Sequence, residues 1–324
     1  MKLFLGLDTS CYTTSVALLA EDGRLVADER RPLAVKPGGR GLAQSEMVFQ
    51  HTRSLPDLFA AAAAKAGGAV ELVAVAASGQ PRPQPDSYMP AFLVGAGYGR
   101  VLALAQAAAY HEISHQENHI LAGMWSAGGP AAGDFLALHV SGGTTEITRV
   151  ARKAGRLAVE LLGGSVDIAA GQLIDRVGVA LNLPFPAGPH LERLAAGGHD
   201  RPTAVPVSVK GLKLSFAGPE TQARRLLARG ESPTAVAAGI ELAVAASLEK
   251  LIAAALAASG LKDVMLVGGV LANAFIRGHL NAVFAATGVN LYFPRPQLSG
   301  DNAVGAAFFA LTRSTTISAA AYDT

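Results

Sequence analysis

Two histidines four residues apart, His115 and His119, are the first residues of this chain whose types and spacing could do chemistry. A helix beginning near Ser114 would stack them on one face, with Cβ atoms about 5–6 Å apart. Paired imidazole nitrogens suit a transition metal; the same pair also fits a solvated helix surface. A second group is Ser141-Gly142-Gly143-Thr144-Thr145, set between the apolar runs Leu136–Val140 and Ile147–Val150. It reads as strand, glycine turn, strand. Glycines without Cβ, hydroxyls and free backbone N–H groups can cradle a phosphate, although such a stretch can also be only a hairpin. A third is Asp8-Thr9-Ser10 at the end of an apolar run, where an acid can orient water or a metal-bound phosphate.

The elements that must hold these groups follow from the pattern. Leu3–Leu7, Ser15–Leu19 and Leu25–Arg31 read as three strands joined by tight turns. A Pro/Gly loop over 33–43 leads to a helix from about Ser45 to Lys65, interrupted near Pro56. A strand over Leu72–Ala77, a proline-rich loop to Pro90 and a helix from Phe92 to Tyr110 come next. Beyond the central hairpin, the sequence predicts a helix over Gly163–Leu181, an irregular basic stretch over 198–216 and helices near 219–229 and 232–259. A strand over Asp263–Val267, a Gly-Gly turn, a helix from about Asn273, a strand over Val289–Phe293 and a helix opened by Asp301 complete the chain. Strand-turn-strand openings thus occur twice, at 3–31 and 135–162, which is a duplicated α/β pattern. Two like domains facing each other would leave a cleft lined by glycine turns.

With 324 residues the chain exceeds one ordinary core. Half of the residues are hydrophobic and 16% are charged, a composition that buries well. The net charge of +2 restricts any RNA contact to a local patch. One cysteine, Cys11, rules out an intramolecular disulfide and a cysteine-based zinc site; it reads as a small buried hydrophobe. No apolar run reaches the ~20 residues of a membrane span, and the N-terminal run is too short for a signal peptide. A cytoplasmic protein without membrane contact is expected.

Six motifs in order carry a resemblance over nearly the whole chain: Gly6-Leu-Asp-Thr-Ser-Cys11, His115-x3-His119, His139-Val-Ser-Gly-Gly143, Asp175 with Phe185-Pro-Ala-Gly-Pro189, Gly268-Gly-Val-Leu-Ala-Asn273, and Asp301-Asn302. The sequence resembles the TsaD type of the tRNA threonylcarbamoyladenosine synthases, formerly called O-sialoglycoprotein endopeptidases. The resemblance implies a duplicated actin/Hsp70/sugar-kinase (ASKHA) fold: domains 1–134 and 135–300 around a nucleotide cleft, with helix 301–324 packing back on the first. It implies transfer of a threonylcarbamoyl group from threonylcarbamoyl-AMP to an anticodon-loop adenosine of tRNA. By the same likeness His115, His119 and Asp301 would hold one divalent metal, iron or zinc. His139, Val140, Ser141, Gly142 and Gly143 would meet the phosphate of an adenine nucleotide (ATP or threonylcarbamoyl-AMP). Asp175, Gly188 and Asn273 would hold its ribose and adenine; Asp175 could instead be a salt-bridge partner of Arg176 or Lys213. Asp8, Tyr12 and Thr13 would line the first phosphate turn. The implied partners are TsaB-like and TsaE-like subunits and tRNA, in a homodimer or heterodimer.

The departures are specific. Tyr12 and Thr13 replace two family acids, Thr144 replaces a histidine, Glu146 a glutamine and Glu220 a lysine, while Tyr88-Met-Pro-Ala-Phe92 replaces a Gly-Pro-Gly-Leu turn. These point to a divergent member or paralogue. A non-catalytic nucleotide- and metal-binding subunit, or carbamoyl transfer or ATP hydrolysis on another substrate, are the alternatives. A kinase would need acids for Mg²⁺, which Tyr12 and Thr13 do not supply. A His-Glu-x-x-His peptidase is disfavoured, because Glu117 lies two residues after His115, about 200° round the helix.

Overall fold

The computed structural model describes residues 1–10, 12–35, 42–84, 86–153 and 155–320. Cys11 lies outside them, as do residues 36–41 of the Pro/Gly loop. In chain order the elements are β1 (Lys2–Asp8), β2 (Thr13–Ala20), β3 (Leu25–Pro32), α1 (Gln44–Lys65), β4 (Glu71–Gln80), α2 (Phe92–Ala105), β5 (Ala109–Ser114), α3 (His115–Ala127), β6 (Asp134–Val140), β7 (Thr145–Lys153) and β8 (Arg156–Ser165). They continue with α4 (Ala170–Ala180), α5 (Gly188–Ala195), β9 (Ser208–Lys210), β10 (Lys213–Ser215), α6 (Ala217–Ala228), α7 (Pro233–Ser259), β11 (Asp263–Val267), α8 (Ala274–Phe284), β12 (Asn290–Tyr292) and α9 (Val304–Ala320).

The chain forms two compact units. Unit 1 holds residues 1–128, 153–157 and 301–324, and unit 2 holds 129–152 and 158–300. The short piece 153–157 therefore groups with the first unit, where the Arg156 guanidinium lies over the Phe309 ring.

Unit 1 is built on a five-stranded sheet in the order β3-β2-β1-β4-β5. Strand alternation gives β1 two different faces. Leu3, Leu5 and Leu7 join a core with Leu55 and Leu58 of α1 and Val94 of α2. Gly6 lies on the other face, where a Cβ would sit 2.1 Å from the Ala303 carbonyl oxygen and 2.5 Å from the Ala307 nitrogen. Only glycine lets the start of α9 lie this close to the strand. Asp8 shares that face by the same period of two.

Unit 2 has a seven-stranded sheet in the order β12-β11-β6-β7-β8-β10-β9. β6 runs antiparallel to β7 and parallel to β11. The long α7 buries Val236, Ile240, Val244, Leu248 and Leu251 against Leu136, Leu138 and Leu266 of the sheet.

Four elements differ from the sequence expectation. Helix α1 runs unbroken through Pro56, and the stretch 198–216, expected to be irregular, contains β9 and β10. The helix expected over Phe92–Tyr110 stops at Ala105, because Ala107 takes a left-handed φ of 51° and turns the chain into β5. The helix expected from Gly163 starts only at Ala170, since Gly163 and Gly164 belong to β8. A Cβ on Gly163 would meet the Leu212 carbonyl at 2.0 Å, and one on Gly164 the Thr145 carbonyl at 2.2 Å. These glycines permit close strand packing rather than capping a helix.

Candidate functional site

The chemistry-bearing residues fall into two groups, one in each unit. In unit 1 the local fold places His115 at the first position of α3. Ser114 is the N-cap: its hydroxyl accepts from the Glu117 amide at 3.1 Å, and the Glu117 carboxylate accepts from the Ser114 amide at 2.7 Å. This capping box occupies Glu117 and sets His119 one turn beyond His115.

Asp8, fully buried, supplies the next layer. Its Oδ2 accepts from His115 Nδ1 at 2.9 Å, Ser78 Oγ at 2.7 Å and Asn118 Nδ2 at 2.8 Å, while Oδ1 accepts from the Ser10 amide and hydroxyl. Both oxygens are committed, so Asp8 is a partner of His115 rather than the wall of a phosphate turn. With Nδ1 donating to Asp8, His115 turns Nε2 inward. There it lies 3.1 Å from His119 Nε2 and 3.5 Å from Asp301 Oδ1, and His119 Nε2 lies 3.4 Å from the same oxygen.

Asp301 arrives from the far end of the chain. Asn302 follows it and accepts from the Val304 amide, starting α9, and Asn118 accepts from the Ala306 amide while donating to the Asn302 carbonyl. A Cβ on Gly305 would lie 1.9 Å from the Asn118 carbonyl, so α3 and α9 touch backbone to backbone.

The donor set fits a metal ion. A tetrahedral ion with bonds of 2.0–2.1 Å sets its ligand atoms about 3.3–3.4 Å apart; the three separations here are 3.1, 3.4 and 3.5 Å. Two imidazole nitrogens facing each other at 3.1 Å cannot both present a lone pair. Without an ion, one of the two carries a proton and donates it to the other. Burial disfavours the His115 cation, yet Asp8 and Asp301 hold its pKa well above the usual imidazole range. Burial and the neighbouring His115 push His119 down. Burial would raise Asp301, but hydrogen bonds from both histidines hold it well below the carboxylate range.

In unit 2 the Ser141–Thr144 turn follows β6. Ser141 Oγ accepts from the Thr144 amide at 3.1 Å and the Gly143 amide at 3.4 Å, so it pins the turn from inside. Gly142 and Gly143 are exposed at its tip. The N-terminus of α4 abuts it: a Cβ on Gly171 would lie 2.6 Å from both Gly142 Cα and the Ser141 carbonyl. An anion at the tip would feel the positive end of α4. The turn after β11 is its neighbour, because β11 pairs with β6 as far as Val267 opposite His139. Gly268 has φ 107°, and a Cβ there would lie 2.3 Å from the Val140 carbonyl. Both turns sit at carboxyl ends of adjacent parallel strands, where open α/β sheets bind ligands.

The remaining expected residues are placed unevenly. Val140 is fully buried and His139 is buried beneath Gly268, so neither presents a side chain to a ligand at the tip. Asp175 accepts from the Ala187 amide at 2.8 Å, beside Gly188 at the start of α5. Its other oxygen has no hydrogen bond among the described residues. Arg176 reaches Glu220 instead, which also takes Arg224. Burial raises the Asp175 carboxyl. Asn273 is held at both ends of its amide: Oδ1 caps α8 by accepting from Ile276, and Nδ2 donates to Glu241. Glu241, fully buried in α7, also takes His199, and Glu192 accepts from the Ala274 amide at the same helix start. Glu241 and Glu192 carry no sequence signal beyond an acid inside an apolar helix and an acid in a short one. Tyr12 is 43% exposed and Thr13 opens β2.

The two sheets and these turns define a protein of the actin/Hsp70/sugar-kinase class. Solved structures share the fold: HypF from T. kodakarensis, at TM-score 0.62 and 16% identity, covers 97% of this chain and 48% of its own. A ROK family glucokinase from Streptomyces griseus, solved with glucose and AMPPNP, matches at 0.53 and 13% over 95% of this chain and 99% of its own. The chain belongs to the TsaD family, whose model, described as tRNA N6-adenosine threonylcarbamoyltransferase, matches residues 34–308. The proteins of that name from Variovorax paradoxus and Methanopyrus kandleri are 34% and 30% identical to it. The first alignment covers 96% of this chain and 90% of the relative, the second 92% and 83%.

Proposed function

We propose that this protein transfers the threonylcarbamoyl group of threonylcarbamoyl-AMP to the N6 amine of an anticodon-loop adenosine of tRNA, with iron or zinc held by His115, His119 and Asp301. The observation that carries the reading is the three-donor cluster, whose ligand atoms lie within 4.8 Å of one another inside the stretch that the family model matches. An ion there supplies a Lewis acid toward a phosphate or carbonyl oxygen. The Gly142–Gly143 tip and the α4 N-terminus would bind the adenylate phosphate. The unengaged oxygen of Asp175 would accept from a ribose hydroxyl, and the Gly268–Gly269 backbone would lie against adenine. Asn273, committed to Glu241 and to α8, would shape that wall rather than reach the base. The N6 amine would attack the carbonyl carbon of the threonylcarbamoyl group, the bond from that carbon to the phosphate oxygen would break, and AMP would leave while the N6 proton passes to water.

TsaB-like and TsaE-like subunits are the proposed partners, in the cytoplasm where tRNA resides. Leu93, Val101 and Leu104 lie along one face of α2 and are 57%, 64% and 82% exposed, which suits a subunit interface. No helix among the described residues is long and apolar enough to cross a membrane.

A second reading rests on Tyr12 and Thr13. Neither is a carboxylate, and an acid beside the adenylate could orient the group transferred or take the amine proton. A non-catalytic nucleotide- and metal-binding subunit would tolerate this change. The test is transfer from threonylcarbamoyl-AMP to a tRNA transcript with the partner subunits present, comparing the natural chain with the Tyr12→Asp, Thr13→Glu double variant. Transfer by the natural chain is the expected result. Metal and nucleotide binding without transfer, rescued by the double variant, would establish the second reading instead.

A further inference from the structure

Residues 201–229 carry six cations, Arg201, Lys210, Lys213, Arg224, Arg225 and Arg229, against one acid, Glu220, in a chain with 27 basic and 25 acidic residues overall. All six are exposed, and Glu220 is already taken by Arg176 and Arg224. Lys210 and Lys213 stand directly opposite each other across the β9–β10 pair. Like charges in that position repel and weaken a hairpin. Among the described residues no acid pairs with either ammonium. The hairpin thus keeps a charge arrangement that costs stability and has no internal partner.

Its location is specific. From the Ser141–Thr144 turn outward the strands run β7, β8, β10, β9. Lys213 is level with Gly164, and Gly164 lies against the Thr145 carbonyl, so the lysines are at the turn's end of the sheet. Three strand spacings separate β7 from β9, roughly 14 Å. The other basic run of unit 2 differs on both counts. Arg149 and Arg152 lie further along β7, away from the turn, and are held by Asp134 and the Pro130 carbonyl.

We propose that the β9–β10 hairpin is an RNA-docking rim, with Lys210 and Lys213 meeting backbone phosphates next to the adenosine that receives the transferred group. The inference rests on the tRNA reading above. An RNA whose base reaches the nucleotide turn must carry its neighbouring phosphates past the adjoining sheet edge; a lipid surface has no base to deliver there. The contacts would be to phosphate, positioning the strand without reading its sequence.

The experiment measures anisotropy of a labelled unmodified tRNA transcript bound to the full chain across a salt series. The Lys210→Ala, Lys213→Ala double variant should bind about tenfold or more weakly at low salt, with the salt slope reduced by about one per lysine. Its affinity for adenine nucleotide should be unchanged. The Lys210→Glu variant places an acid opposite Lys213, so its thermal midpoint should equal or exceed that of the natural chain while tRNA binding still falls. Natural affinity and slope in the double variant would overturn the rim and leave the transfer reading standing. A natural chain that ignores tRNA but binds phosphatidylserine vesicles through the same lysines would overturn both.

Discussion

Asp8 decides what His115 can do. An ionised carboxylate accepts only, so His115 must donate from Nδ1 and offer Nε2 to the cluster. Replacing Asp8 with Asn substitutes an amide among five donors, and the Asp8→Asn variant should bind zinc 10–100-fold more weakly in competition with a chelator. The pH dependence follows from charge. In the metal-free protein His115 is raised, so its contribution to stability is full below the ordinary imidazole pKa, about 6.5, and fades as pH climbs through the raised value. Burial would raise Asp8, but His115 holds it lowered, and Asp301 lies well below the carboxylate range. Their contribution is present above about pH 4 and fades as pH falls through the depressed values. An incoming ion competes with the His115 proton. The rise in melting temperature on adding zinc should therefore grow between about pH 5.5 and 8; a rise that stays flat or shrinks over that range would argue against His115 as a ligand.

At the scale of elements, the close approach of α4 to the Ser141–Thr144 turn has a direct test. Gly171→Ala puts a methyl into the Ser141–Gly142 backbone. It should cost about 1–3 kcal/mol in urea unfolding and weaken nucleotide binding by moving the turn from the helix end. Gly142→Ala, with nothing within 4 Å of its added Cβ, should leave stability nearly unchanged. The sequence made some of this legible. Ser114 before His115, with Glu117 three residues on, is a local capping signal, and the α3 start was readable from it. The strands β1, β2, β6 and β7 announce themselves by apolar runs. Gly163 and Gly164 look like helix punctuation, because their reason lies in Leu212 and Thr145, contacts no local pattern encodes. The same holds for Asp8, whose five donors come from the turn after β1, from β4 and from α3, and for Asn273, whose amide is claimed by a glutamate 32 residues away. His139 reads as part of a phosphate motif, yet the pairing of β6 with β11 puts it underneath the neighbouring turn.

At the scale of the molecule, α9 is part of unit 1 although the whole of unit 2 separates it from the other elements. It buries Val304, Ala306, Ala307 and Phe309, and it brings Asp301 to the histidines. A chain ended at Gly300 should lose metal binding, and limited proteolysis should then cut within unit 1 while unit 2 persists as a resistant fragment. Equal resistance of both units would show that the sheet of unit 1 stands without its last helix.

The order in which a ribosome delivers the chain turns this arrangement into a timetable. Residues 1–128 emerge first, with His115, His119 and Asp8 in place, yet the face of β1 that receives α9 stays bare until the last segment is released. Unit 2, apart from the short segment 153–157, is continuous in sequence and can close while synthesis continues. The third donor, Asp301, is made 182 residues after His119, so a chain stopped before it has two of the three. The proposed ion would therefore be loaded only after unit 2 has been made, a late event in synthesis.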